Sequence, residues 1–88
     1  MNTYTLYIGS NNVTKLLELD TIESIVSERH EGFTIQQAVG YWLGQKEFTA
    51  VVTINDDQVT IMQTIERLKD VLHQDAIGYQ VVPELKFA

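Results

Sequence analysis

"EGFTIQQAVGYWLGQKEFTAVVTI", residues 31–54, holds the chain's single tryptophan and three of its five glycines, and carries no charged side chain from Phe33 to Gln45. Phe33, Ile35, Val39 and Tyr41 occupy odd positions in its first half, whereas Phe48, Ala50, Val52 and Ile54 occupy even positions in its second. Such alternation is the period of a strand, because successive side chains of an extended backbone point to opposite faces. The stretch therefore predicts two strands, β2 over about 33–42 and β3 through 48–54, with "LGQKE", residues 43–47, as the hairpin loop between them.

Downstream, "NDD" at 55–57 supplies caps for a helix α2 over about 57–74, in which Val59, Met62, Ile65, Leu68 and Leu72 recur every three or four residues. "AIGYQVV", residues 76–82, reads as strand β4. Pro83 closes it and lacks a backbone donor, which predicts an edge position. "ELKFA", residues 84–88, is expected to add a short extension or a tail packed through Leu85 and Phe87.

Upstream, "DTIE" at 20–23 reads as an N-cap with an acidic residue three positions on, and Ile22, Ile25 and Val26 follow at helical spacing until Gly32 offers a stop. That is α1. Thr3–Ile8 alternates as β1, with Tyr4, Leu6 and Ile8 on one side and Thr3, Thr5 and Tyr7 on the other. "GSNN", residues 9–12, breaks the strand, and "VTKLLEL", residues 13–19, is open between loop and helical turn.

The order βαββαβ in 88 residues predicts one α+β domain, a ferredoxin-like plait. Its four-stranded antiparallel sheet carries both helices on one face, with β1 and β3 central and β2 and β4 at the edges. The other sheet face would present Thr3, Thr5, Tyr7, Thr34, Gln36, Ala38, Trp42, Thr49, Val51, Thr53, Gln80 and Val82, none of them charged. Depletion of charge marks the core of an interface, so homo-oligomerisation through this face is expected. The competing explanation is that threonine is a good solvent-facing strand residue.

Composition narrows the function classes. The net charge is −6, and the six basic residues, Lys15, Arg29, Lys46, Arg67, Lys69 and Lys86, are dispersed, so a nucleic-acid partner is disfavoured. Tyr7, Tyr41 and Trp42 could suggest an RNA-stacking sheet, but Thr49, Ala50 and Val51 stand in mid-β3 without its basic and aromatic residues. The chain has no cysteine, no basic leader and no long apolar run, so a cytoplasmic protein without a membrane span is expected.

No catalytic motif emerges, no cofactor is expected, and an enzyme is the less favoured reading. Glu47 beyond Trp42 could serve as an acid or base against an aromatic wall, or simply solvate the hairpin with Lys46. Ser10, Asn11 and Asn12 form a weak phosphate-loop candidate that lacks a second glycine and a lysine, and a plain turn explains them as well. His30 and His73 lie near the two helix ends, where the helix dipole accounts for both, and no chelating set for a metal is evident.

In "YIGSNN" at 7–12, in "GFTIQQAVGYWLGQKE" at 32–47 and in its element order, the chain resembles small uncharacterised ferredoxin-like proteins of bacteria and their phages, which share the plan of PII-like proteins. The resemblance implies a cytosolic oligomer, often a trimer, with regulation carried between β2 and β3. Here that connection is a short hairpin, and no glycine-rich nucleotide loop accompanies it. Two functions are therefore expected. One is a homo-oligomeric interaction or regulatory module whose hairpin, Gly40–Glu47, meets a partner or small ligand. The other is a small-molecule binder or enzyme of the dimeric α/β-barrel kind, with Tyr41, Trp42 and Glu47 lining a pocket.

Overall fold

The computed structural model describes residues 1–82 and 86, with Trp42 described through its backbone alone. The expected extension and tail at Leu85 and Phe87, and the chain-stopping Pro83, lie outside the described residues. Elements follow as β1 (Asn2–Ile8), α1 (Leu19–Ser27), β2 (Phe33–Trp42), β3 (Gln45–Asp56), α2 (Gln58–Leu72) and β4 (Gly78–Val82). The sheet is antiparallel in the order β2-β3-β1-β4, the arrangement of a ferredoxin-like plait.

The register explains which residues are buried. Tyr4, Leu6 and Ile8 of β1 face Ile54, Val52 and Ala50 of β3, and these six side chains form the sheet's share of the core. Ile22, Ile25 and Val26 of α1 and Ile61, Ile65, Leu68 and Leu72 of α2 close over them. A nine-residue helix such as α1 is too short to persist alone in water. Its three buried aliphatic side chains, each worth about 1.5–3 kcal/mol on burial, hold it in place.

Helix boundaries differ from expectation in informative ways. Asp20 is not the N-cap of α1: Glu18 is, and it makes no side-chain cap because its carboxylate accepts instead from Asn11 Nδ2 at 2.8 Å. Asp20 sits inside the first turn, where its charge suits the positive end of the helix dipole. Nor does Gly32 stop the helix. α1 ends at Ser27, with the N–H groups of Glu28, Arg29 and His30 bonding back to Ile25 and Val26. α2 is capped as expected: the Asp57 carboxylate accepts from the backbone N–H of Thr60 at 2.8 Å and from its hydroxyl at 3.1 Å.

The β2–β3 hairpin is longer and tighter than the sequence suggests. Trp42 pairs with Gln45, leaving a two-residue turn of Leu43 and Gly44 with φ of 51° and 77°. Both angles are positive, as a type I′ turn requires to match the twist of its strands. β3 thus starts at Gln45, and the hairpin runs beyond the helix layer. On the helix side Phe33 and Ile35 pack against the core, whereas Val39, Phe48 and Tyr41 are 50, 48 and 73% exposed. Burial of β2 beneath the helices along its whole length does not occur.

Candidate functional site

Alternation decides what the hairpin residues can do together. Tyr41 pairs with Lys46 and Gly40 with Glu47, so Tyr41 projects on the helix side of the sheet and Glu47 on the other. Lys46 places its ammonium 5.9 Å from the centre of the Phe48 ring. Neither Tyr41 nor Glu47 lines a described cavity.

The "GSNN" loop is held by its own polar groups. Asn11 is buried, and its Oδ1 accepts from the N–H groups of Val13 and Thr14 at 2.7 and 3.1 Å while its Nδ2 donates to Glu18. Asn12 Nδ2 donates to the carbonyl of His73 at 2.7 Å, and the Ser10 carbonyl accepts from Gln74 Nε2. Asn11 and Asn12 spend their side chains on the turn and on the C-terminal end of α2. His73 is the C-cap there, in the left-handed region at φ 55°.

The open sheet face presents a continuous set of hydroxyl, amide and small apolar groups. Thr3, Thr5 and Tyr7 pair with Asn55, Thr53 and Val51 on β3, which in turn meet Thr34 and Gln36 on β2, with Thr49 opposite Ala38. Tyr7 donates its hydroxyl to Gln80 Oε1 on β4 at 2.9 Å. Thr5, Thr49, Val51 and Thr53 are half-buried by their neighbours alone.

A cleft lies at the other end of the sheet from the hairpin turn. Its volume is about 680 Å³, and it runs between the α1–β2 connection (Arg29, His30, Glu31, Gly32) and the strand ends that carry Thr3, Phe33, Thr34, Thr53, Asn55 and Asp56. At its floor His30 is buried, with Nδ1 2.7 Å from Asp56 Oδ2 and Nε2 2.7 Å from the hydroxyl oxygen of Thr64. A carboxylate only accepts, so Nδ1 carries the hydrogen, and in the neutral ring Nε2 accepts the Thr64 hydroxyl proton. Asp56 is itself fixed, since its Oδ1 accepts from the N–H of Asp57 at 2.7 Å.

Carboxylate, imidazole and hydroxyl stand in the sequence used for nucleophilic hydrolysis, but Thr64 is wholly buried on the inner face of α2 and no substrate can reach it. The chain of bonds therefore ties α1, β3 and α2 together. His30 accordingly serves as a bridge and not as a dipole cap for α1. Its partners are 26 and 34 residues away in sequence, so nothing local announces the arrangement. Asn55, on the cleft wall, has a buried Oδ1 without a partner among the described residues. Among those residues no three His, Asp or Glu side chains converge as a metal site, and no helix is long and apolar enough to cross a membrane.

No family model matches the chain, and no curated protein matches it. Among solved structures it is similar to a DUF3240 family protein from Shewanella baltica, with a TM-score of 0.68 at 15% identity over 99% of this chain and 93% of that one. It is also similar to the de novo designed protein Foldit4, with a TM-score of 0.53 at 15% identity and 96% of each chain covered. At such identities the likeness is one of fold: an α+β plait of ferredoxin-like order.

Proposed function

We propose that the chain is a small homo-oligomeric interaction or regulatory module that assembles through its open sheet face and leaves the projecting hairpin for a partner or small ligand. The supporting observation is the composition of that face. Thr3, Thr5, Tyr7, Thr34, Gln36, Thr49, Val51 and Thr53 lie on adjacent rungs of three strands without a formal charge, and neither helix packs on that side. Burial of these eight side chains desolvates no ion, the carboxylate of Glu47 on the same side lying further out toward the hairpin turn, so a second copy can cover them at little ionic cost. The reading extends to a cytoplasmic, PII-like protein of bacterial or phage origin, on the strength of the plait and the resemblance in its β2–β3 segment.

Sedimentation or light scattering at micromolar concentration tests the assembly. The native chain is expected to run as a dimer or larger, and Val51→Lys, which places an ammonium between Tyr7 and Gln36, is expected to run as a monomer. A monomeric native chain overturns the proposal. The alternative, a dimeric barrel with Tyr41, Trp42 and Glu47 around a pocket, is less well supported because Tyr41 and Glu47 leave the hairpin on opposite sides.

A further inference from the structure

We infer that the outer edge of β2 pairs with the same edge of a second copy of the chain, antiparallel and about a two-fold axis, so that two sheets join into one. β2 and β4 are the edges of the sheet, and they differ in how they are guarded. β4 is five residues long, and Pro83 follows it in the sequence. β2 is ten residues long and holds no charged side chain and no proline. Its register runs unbroken from Phe33 opposite Ile54 to Trp42 opposite Gln45, and among the described residues β3 is its one neighbour. A strand of about 33 Å thereby presents a row of backbone donors and acceptors without the charges, prolines or bulges that keep such edges apart.

The side chains select a second copy as the occupant. A two-fold axis normal to the sheet, passing between Gln37 and its counterpart, sets Tyr41 opposite Phe33 and Val39 opposite Ile35, each pair occurring twice. These residues share the helix side of β2. Val39 and Tyr41 are exposed because the hairpin outruns its own helices, whereas Phe33 and Ile35 pack against the core. Antiparallel pairing therefore brings the uncovered end of each strand beside the helix-covered end of the other, and apolar cross-strand pairs form on both sides of the axis. On the open face Thr34 meets Gly40 and Gln36 meets Ala38, with no charges opposed. A foreign strand would have to match this neutral alternation; β2 matches it with its own sequence.

This contact goes beyond the sheet-face assembly and is the weaker of the two, since a strand edge covers less surface than a sheet face. Val51→Lys, monomeric at micromolar concentration, isolates it. Sedimentation equilibrium of that variant up to millimolar concentration is expected to show a dimer, and adding Gln37→Lys, which opposes two ammonium groups at the axis, should weaken the dimer about tenfold or more. The chain has no cysteine, so single substitutions in the same background report the register. Residues directly opposite have Cα atoms about 4.5–5.5 Å apart, within disulfide reach. Gln37→Cys, at an exposed position, should oxidise to a linked dimer. Val39→Cys, equally exposed but about 14 Å from its counterpart, should link at least about tenfold more slowly.

A Val51→Lys chain that stays monomeric at millimolar concentration, a dimer indifferent to Gln37→Lys, or a Gln37→Cys bridge that forms no faster than the Val39→Cys bridge overturns the inference. Pairing with an added peptide of unrelated neutral sequence, in a chain that itself stays monomeric, gives the edge a foreign occupant and overturns it as well. A native chain that is monomeric at micromolar concentration and forms a Gln37→Lys-sensitive dimer only when concentrated removes the sheet-face assembly alone.

Discussion

His30 donates through Nδ1 to Asp56 at 2.7 Å, and this contact fastens the exit of α1 to the last residue of β3, one position before the cap of α2. Removal of the ring orphans two groups, one of them the Thr64 hydroxyl in the core. His30→Ala should destabilise the domain by about 2–4 kcal/mol. Thr64→Val, close in shape, leaves only Nε2 unpaired and should cost about 1–2 kcal/mol. Urea denaturation measures both, and values near zero would show that the bridge is energetically idle.

Asn11 offers a second test, because its amide serves three hydrogen bonds within residues 11–18. Asn11→Ala should lower stability by about 2 kcal/mol. A substitution that left the melting curve unmoved would favour a ligand role for Ser10, Asn11 and Asn12 over the turn that the structure displays.

The cap of α2 predicts a pH dependence. Hydrogen bonds from the Thr60 backbone, first, and from its hydroxyl, second, hold the Asp57 carboxyl below its ordinary value of 3.8. A lowered folded value means that the contribution is fully present above pH 3.8 and disappears as pH falls through the folded value. Asp57→Ala should therefore melt below the native chain by a margin that is constant at neutral pH and closes in acid. Thermal melts of both proteins across the acid range provide the check, and a margin that persists at the lowest pH would count against the cap.

At the hairpin turn Leu43 holds φ at 51° and is 88% exposed, so it has the strain of a left-handed residue without packing to offset it. Leu43→Asn, which produces an Asn-Gly turn, should stabilise by about 0.5–1 kcal/mol. Gly44→Ala, at φ 77°, should destabilise by about 1 kcal/mol. Opposite signs in one denaturation series would confirm the type I′ geometry; equal signs would reject it.

Element order and sheet order were legible because alternation in residues 3–8 and 48–54 assigns each side chain to a face. The buried stripe of α2 was legible only in part. Val59 is 69% exposed, while Ile61 and Thr64 are buried. At 3.6 residues per turn, two steps of three carry Val59 about 120° away from Ile65, whereas Ile61 stays within about 40° of it. Spacing by threes therefore mistakes a drifting row for a face. The α1 cap was misread for a different reason: Glu18 takes that position by backbone geometry while its carboxylate is engaged by Asn11, and neither fact has a sequence signature. The cleft was invisible because Arg29–Phe33 and Thr53–Asp56 meet only once β2 and β3 are paired.

The hairpin that outruns its helices gives the domain two tiers of cooperativity. Rungs from Phe33 to Ile35 share the fate of the core, so their amides should open only when the whole molecule unfolds. Rungs from Val39 to Phe48 rest on ladder bonds and cross-strand pairs, and can part while everything beneath the helices stays closed. The hairpin tip can thus breathe locally, with the rest of the fold serving as a fixed handle.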